Sequence, residues 1–375
     1  MFDGTRLQLM IGPAPAPVPA PLPVIEALQS VEVTRARGTC GFNLTFALGK
    51  DSPLQLAMLP AGFFDPVVTR VVIAVIHRGL PHVLMDGIVT NQSLQPGNDP
   101  GKSTLTLTGE DLSLLMNLIE VTIPWPAMPD MARIAVILAK YAAFGMVPLI
   151  IPPGVFSVDS PTSRHDTQET TDRDYIRELA AQNGYVFAIE PGPVPGQSIA
   201  YFGPDYRLPV LQPALNVNMD ADTNVESLSF TLDGLAKKIT IMRILDSVTK
   251  KIPIPIPIPN ISPVHPPLGL RPTPPARITA TKDTARLSPS EAAKRALGIV
   301  MQSADAISGH GSLNVASYGS VLKPNMMVGV RGAGTAYDGP YYVDSVTHNL
   351  KPGEYKQSFT LSRDGLMAPA PAVVP

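Results

Sequence analysis

Carboxylate and histidine side chains crowd together along residues 165–178, and this stretch is where the sequence could support acid–base chemistry. The members are His165, Asp166, Glu169, Asp172, Asp174 and Glu178. Paired carboxylates are what glycoside cleavage requires. However, the residues around His165 are polar and typical of a solvated loop, and acids on the first turns of a helix stabilise its dipole. We therefore predict that these side chains are structural rather than catalytic.

The remaining reactive residues offer no nucleophile and no metal site. The six histidines are His77, His82, His165, His265, His310 and His348. None has the His-Glu-x-x-His spacing of zinc hydrolases. Cys40, the single cysteine, begins a strand without a nearby base, and the glycines from Gly329 to Gly334 lack a dinucleotide-binding spacing. We predict a protein that is not an enzyme, with no catalytic, cofactor-binding or metal-binding residue.

Composition favours a β-rich chain of two to three domains. The 375 residues include 42 prolines, 45% are hydrophobic and only 16% are charged, against a usual value of about 25%. Proline removes a backbone donor, so this content disfavours long helices. The net charge of −2 is spread without blocks of one sign, so we expect no direct contact with nucleic acid and no membrane binding in isolation. A single cysteine excludes an intrachain disulfide.

Periodicity predicts strands near both ends of the chain and helices between them. Residues 41–48 alternate strictly, with Phe42, Leu44, Phe46 and Leu48 on one face. Residues 71–76 are apolar on both faces, as in a strand that is covered on both sides. A short helix is predicted at 112–116, with Thr108–Asp111 as its N-terminal cap and the Thr108 hydroxyl as the acceptor. The remaining predicted elements are helices at 130–144, 172–183 and 289–307, a hairpin at 185–202, and strands at 227–232, 238–245 and 326–361.

Two segments resemble each other. Residues 72–112 and 327–366 both contain a strand, a second strand with Val-Thr, a Leu-x-Pro-Gly turn and a strand with Thr-Leu that closes near an acid. Chance similarity between hairpins with Pro-Gly turns is one interpretation. A duplicated β-domain with inserted material is the other. The sequence leaves both open.

An Ile-Pro repeat at residues 252–259 is the most unusual segment. Because proline cannot extend a sheet ladder, we expect an extended strap outside the sheets. The strap could pack on its own chain, or its isoleucines could dock on a neighbouring subunit, since exposed apolar side chains are costly. We favour the second interpretation, which makes Ile254, Ile256 and Ile258 candidate interface residues.

Several motifs resemble the phage late control gene D family, the tail hub proteins related to the N-terminal part of VgrG spikes. The motifs are Asp172–Phe187, Tyr201–Pro204, Tyr337–Val343, Val346–His348, Gly353–Arg363 and Thr108–Leu112. The match spans most of residues 25–366. This resemblance implies two tube-protein-like β-barrels per chain and assembly as a homotrimer, which joins a six-fold inner tube to a three-fold spike. The chain has no room for the β-helix of VgrG, so the spike is expected to be a separate protein.

We expect a β-rich α+β chain on this basis. The expected parts are a proline-rich arm at 1–24, a first barrel at 25–125, an inserted α/β region at 126–214, a second barrel at 215–250 and 310–366, a proline-rich strap and helix at 251–309, and a flexible tail at 367–375. Expected partners are the inner tube protein, the spike and other baseplate proteins. Assembly is expected in the bacterial cytoplasm, and the final location is the tail or injection particle.

Two other functions compete with the hub. The first is a tail-tube or tube-initiator subunit, which would form a six-fold ring from chains with a single barrel. Two repeats in one chain count against it. The second is a cell-wall hydrolase at the tail tip, which would need the carboxylate or metal constellation that the sequence lacks.

Overall fold

A computed structural model describes residues 5–36, 39–97, 103–126, 128–152, 166–205, 208–245, 253–258, 267–280 and 305–368. The strands in chain order are β1 (Thr5–Pro13), β2 (Val18–Pro19), β3 (Leu28–Ala36), β4 (Thr39–Leu48), β5 (Thr69–His77), β6 (Leu80–Gln95), β7 (Ser103–Asp111), β8 (Ile123–Trp125), β9 (Met146–Ile150), β10 (Asp166–Gln168), β11 (Val186–Pro191), β12 (Ser198–Gly203), β13 (Leu208–Asn216), β14 (Ser227–Leu232), β15 (Lys238–Leu245), β16 (Pro253–Ile258), β17 (Arg271–Pro272), β18 (Arg277–Ala280), β19 (Ile307–Asn314), β20 (Met326–Arg331), β21 (Gly339–Lys351), β22 (Glu354–Arg363) and β23 (Gly365–Leu366).

The described helices are short and few. The α-helices are α1 (Leu22–Ala27), α2 (Asp130–Ala139), α3 (Asp172–Asn183) and α4 (Val315–Tyr318). One π-helical turn, Leu54–Met58, and 3₁₀ turns at Leu112–Asn117, Ala142–Phe144 and Asp220–Asp222 complete the set. Among the described residues, no helix has the length and apolar character that crossing a membrane requires.

A sheet of thirteen strands contains two blocks with the same strand order. In the first block the neighbours run β3-β4-β7-β6-β5, and in the second they run β14-β19-β22-β21-β20. Every pairing inside both blocks is antiparallel. The long strand of each block is shared between two partners and has a register shift, near Val89 in β6 and near Val343 in β21. Among the described strands, neither block closes into a barrel by backbone pairing.

The two blocks are joined edge to edge. Residues Ser345 to Leu350 of β21 pair antiparallel with Val31 to Ala36 of β3, and the Thr34 and Thr347 hydroxyls hydrogen-bond across this joint at 3.1 Å. One apolar core runs beneath both blocks, from Phe42 and Leu44 to Val346 and Leu361. The alternation predicted for β4 is confirmed, because its four large apolar side chains are almost fully buried.

The inserted region has a separate core. Strands β11, β12 and β9 form a small sheet, and its buried face packs with helices α2 and α3. Thr171 caps α3 by accepting from the Asp174 amide at 3.2 Å, and Gly184 ends the helix at a positive φ of 69°. The predicted helix at 172–183 and the hairpin at 185–202 are both confirmed.

Several predicted elements differ from the structure. Residues 5–13, expected within a proline-rich arm, form β1 and pair along their whole length with β5, because the alternating apolar residues precede the first proline. Asp111, rather than Thr108, caps the 3₁₀ turn at 112–117 by accepting from the Ser113 amide. Helix α2 ends at Ala139, before its predicted end at 144. Strand β15, expected in the second barrel, lies in a separate sheet with β16 and β18.

Two further differences concern the proline-rich part of the chain. The Ile-Pro segment pairs antiparallel with β15 as β16, which contradicts the expectation that it stays outside the sheets. Proline is tolerated because β16 is an edge strand, where alternate residues turn their backbone groups away from the partner. The helix predicted for 289–307 lies almost entirely outside the described residues, and its last residue, Ile307, begins β19.

Candidate assembly interface

Asp172, one of the carboxylates considered for catalysis, is held by structural hydrogen bonds. Asp172 is buried and accepts from Gln168 Nε2 at 2.8 Å, Tyr141 Oη at 2.9 Å and Lys140 Nζ at 3.0 Å. Burial, together with the hydrogen bond to Asp172, raises the pKa of Tyr141. Glu178 accepts from Gln182 on its own helix, at 3.5 Å. These contacts tie α3 to α2 and leave Asp172 no free oxygen for a substrate proton.

The other reactive residues are also built into the fold. His77 Nδ1 lies 2.8 Å from the Thr5 hydroxyl, and His348 Nδ1 lies 2.8 Å from Tyr355 Oη. Burial raises the pKa of the Cys40 thiol to about 11, so Cys40 is protonated and a poor nucleophile at neutral pH. Within the described ranges, no three His, Cys, Asp or Glu side chains gather to hold a metal ion. His165 lies outside the described residues.

Two unpaired strand edges lie at the ends of the row of strands that runs from β14 to β6. The first is the outer edge of β14, and the second is the edge of β6 at residues 90–95. Neither has a strand neighbour among the described residues. Leu232 is 40% exposed and Leu94 is 47% exposed. Exposed edges with unpaired N–H and C=O groups are templates for pairing with another chain.

These two free edges correspond, by strand order, to the two edges that pair in the internal joint. By strand order, β6 corresponds to β21, and β14 corresponds to β3. The internal joint pairs β21 with β3, so its counterpart is a pairing of β6 with β14. Among the described strands this counterpart is not made, and the two edges lie at opposite ends of this row of strands. A second copy could supply it.

Proline and charge are absent from these two edges, although they occur on the other edges. Residues 90–95 are Thr, Asn, Gln, Ser, Leu and Gln, and β14 is Ser, Leu, Ser, Phe, Thr and Leu. The remaining described edge strands of four or more residues contain proline or a charged residue: Pro148 in β9, Glu190 and Pro191 in β11, Pro209 and Pro213 in β13, three prolines in β16 and Arg277 in β18. Proline and charge on an edge block further strand addition. The β14 edge and the edge at residues 90–95 therefore lack the protection that these other edge strands have.

The candidate interface isoleucines lie opposite β15. Ile254, Ile256 and Ile258 are the register partners of Ile244, Met242 and Thr240. Pro253, Pro255 and Pro257 alternate with them on the same strand. The open edge of β16 is thus unsuited to strand addition.

Comparison with known proteins identifies the fold. No family model matches the chain, and no curated protein matches it. A tail protein from Neisseria meningitidis MC58 is 13% identical with a TM-score of 0.60, and the match covers 98% of each chain. The 43 kDa tail protein of prophage MuSo2 from Shewanella oneidensis is 13% identical with a TM-score of 0.61, covering 96% of this chain and 100% of the other.

A type VI secretion component, the E. coli c3393 protein, is 11% identical with a TM-score of 0.51, and the match covers 93% of this chain and 77% of that one. That protein is described as structurally similar to the T4 bacteriophage tail proteins gp27 and gp5. At these identities the likeness establishes the architecture. The chain has the fold that phage tail proteins and type VI secretion components share.

Proposed function

We propose that this protein is a non-enzymatic hub of a phage tail or contractile injection system, and that it assembles as a homotrimer. The observation that carries the proposal is the pair of unprotected strand edges at the places that correspond to the internal joint. Pairing β14 of one copy with residues 90–95 of the next repeats the β21–β3 joint between chains. Such a head-to-tail contact closes into a ring when the rotation per copy permits it.

A ring of three chains alternates internal and intermolecular joints, so six similar blocks surround one axis. Each block would then act as one tube-protein-like barrel, and the ring would match a six-fold inner tube on one side and a three-fold spike on the other. The inner tube protein, a separate spike protein and other baseplate proteins are the corresponding partners. The fold shared with tail proteins supports this role, and so do the occupied hydrogen bonds of Asp172.

Charge variants on the two edges test the proposed ring. Ser93 and Ser229 are exposed, and lysine at position 229 removes one intrachain side-chain contact, the 3.3 Å hydrogen bond from the Ser229 hydroxyl to the His310 carbonyl oxygen. Ser93→Lys combined with Ser229→Lys places like charges across the new joint and should reduce the assembly to single chains of 39.9 kDa. Ser93→Lys combined with Ser229→Glu should restore the trimer, and Thr335→Lys, in an exposed loop, serves as the control.

Native mass spectrometry of the purified chain reads the result. A mass of three chains for the natural protein, lost in the Lys/Lys variant and regained in the Lys/Glu variant, supports the proposal. A six-chain particle would favour a tube subunit. If both edge variants give the same trimer mass as the natural protein, the strand-paired ring is ruled out.

The Ile-Pro strap is proposed to contact a neighbouring subunit through Ile254, Ile256 and Ile258. Truncating a buried isoleucine to a small residue costs about 2–5 kcal/mol at the place where it packs. If the strap lies between chains, changing all three to serine weakens assembly while the thermal unfolding of the separated chain is unchanged. Normal assembly with a lower melting temperature would show that the strap packs within its own chain.

A further inference from the structure

A groove crosses the outside of the first block where its strands do not meet. Its walls are the start of β1, at Thr5 to Leu7, and the start of β3, at Leu28 to Val31. Ile76, Ile25 and the residues around Leu350 complete the lining. The groove has a volume of about 610 Å³, within the range of clefts that bind ligands.

Both walls present strand edges that lack a partner. Strand β1 pairs with β5 on one side, but its other side pairs with β2 only at Met10 and Ile11. Strand β3 pairs with β21 only from Val31 onward. The outer edges of residues 5–8 and 29–30 therefore have no strand neighbour among the described residues. An extended segment placed between them would find backbone donors and acceptors on both sides.

In the second block the chain itself bridges the equivalent gap between strands (the seam). There the strand beside β20 is β13, and Asn224 lies just before β14. The Asn224 amide donates to the Asn216 carbonyl at 3.1 Å, its side-chain oxygen accepts from the Asn216 amide at 2.8 Å, and its side-chain nitrogen donates to the Ala214 carbonyl at 2.9 Å. The chain itself bridges this seam, whereas the seam of the first block stays open.

The lining defines the chemistry of an occupant. Leu7 and Leu28 are partly buried against the core, while Val31 and Leu350 belong to it, so the floor is apolar. Arg6 and Lys351 are exposed on the lining, and no acid lies on it. An extended segment that alternates apolar and acidic residues would place its apolar side chains on the floor and its carboxylates near the two cations.

We propose that this groove binds an extended segment of a partner protein with alternating apolar and acidic residues, which adds as a strand between β1 and β3. The groove lies outside the edges proposed for trimer formation, so its occupancy does not depend on the proposed ring. Strand addition supplies backbone hydrogen bonds for affinity, and the apolar floor with Arg6 and Lys351 supplies selectivity.

A random decapeptide library displayed on messenger RNA tests the proposal against the full-length chain. Three proteins are immobilised: the natural chain, the variant Arg6→Glu/Lys351→Glu, and a control with the same charge change on exposed residues elsewhere, Lys238→Glu/Arg277→Glu. The natural chain and the control should enrich peptides with alternating apolar and acidic residues. Their affinity for the Arg6→Glu/Lys351→Glu variant should fall by at least about tenfold, as expected for two lost charge contacts.

Hydrogen exchange then locates the bound peptide. The selected peptide should slow exchange at the Leu7 amide, which faces the open side of β1 as Leu9 does, and at amides of residues 29–30. A copy with proline at successive positions should lose binding at alternate sites. Failure of the natural chain to enrich any peptide, enrichment of basic peptides, or equal binding to the Arg6→Glu/Lys351→Glu variant would overturn the proposal. If that variant instead loses assembly mass, a second copy occupies the groove, and the peptide assignment is wrong.

Discussion

Removing the carboxylate of Asp86 should destabilise the attachment of the inserted region to the first block. Arg70 and Asp86 are both almost fully buried and form two hydrogen bonds of 2.7 Å. Asp86 also accepts from the Ser198 hydroxyl at 3.0 Å, and Arg70 donates to the carbonyl oxygens of Gly196 and Ala14 at 3.0 and 3.1 Å. One ion pair therefore joins β5 and β6 to the β11–β12 hairpin and to the N-terminal segment.

The expected loss of stability follows from the buried groups that remain without a partner. Asp86→Ala leaves the Arg70 guanidinium buried without its counter-charge, and breaking a buried pair in this way costs about 3–5 kcal/mol. Arg70→Met combined with Asp86→Leu removes both charges and leaves the Gly196 and Ala14 carbonyl oxygens and the Ser198 hydroxyl unpaired. The hydroxyl is unpaired in Asp86→Ala as well, and replacing a buried ion pair by apolar residues is often neutral or stabilising. The double variant should therefore be more stable than Asp86→Ala.

Urea unfolding followed by tryptophan fluorescence measures the effect. Trp125 is the only tryptophan and is buried in the core of the inserted region, so its emission reports on that region. The control is Glu110→Gln, which removes an ion pair to Arg173 at 3.4 Å from a carboxylate that is 52% exposed. This control should cost less than about 1 kcal/mol. A loss below about 1 kcal/mol for Asp86→Ala, or a double variant that is less stable than the single one, would refute the reasoning.

Three further predictions concern pH, packing and catalysis. Burial and the charges of Arg35 and His82 lower the pKa of His348 to about 3. Between that value and about 6.5 the unfolded chain therefore binds a proton that the folded chain does not bind. The free energy of unfolding should fall by about 1.4 kcal/mol per pH unit as the pH drops through this window. His348→Gln should remove that slope from urea midpoints measured at pH 4.5 to 7, and an unchanged slope would contradict the assignment. A methyl group at Gly109 would lie 2.2 Å from the Phe42 ring and 2.4 Å from the Ile88 carbonyl oxygen, so Gly109→Ala should lower stability by about 1–3 kcal/mol or more. Gly49→Ala, where nothing lies within 4 Å, is the matched control, and equal melting temperatures for the two variants would count against the packing argument. The purified chain should show only background hydrolysis of peptidoglycan and peptides, and turnover that disappears in Asp172→Asn would disprove the structural role.

Local chemistry made much of this fold predictable. The alternation in β4 and the cap and stop of α3 are properties of neighbouring residues, so the sequence carries them directly. The β16 prediction failed because it treated proline as excluded from every ladder. On an edge strand, alternate positions need no donor toward the partner. Strand β1 was missed because the prolines that follow it dominated the composition of the whole arm.

The pairing of strands that lie far apart in the chain could not be predicted from the sequence. Nothing in β3 or β21 marks them as partners, and both would fit many other strands. The sequence signal for the unprotected edges is the absence of both proline and charge from β14 and from residues 90–95. That signal becomes informative only when the sheet order shows which strands lie at an edge. The Arg70–Asp86 pair was equally invisible, because an arginine and an aspartate on adjacent strands are ordinary.

The internal joint between β21 and β3 can form only after nearly the whole chain has been synthesised. Thr34 and Thr347, which hydrogen-bond across it, are 313 residues apart. At about 5–20 residues per second, the β3 edge waits roughly 15–60 s for its partner to leave the ribosome. During that interval a nascent chain presents the same kind of edge that a finished chain presents at β14. Ribosomes that follow one another on one message therefore bring waiting edges and completed strands together, and a finished neighbour can occupy β3 first. Domain swapping is a characteristic failure mode of multidomain and repeat proteins, and in this sheet the β3 edge is where a strand of another chain would be exchanged.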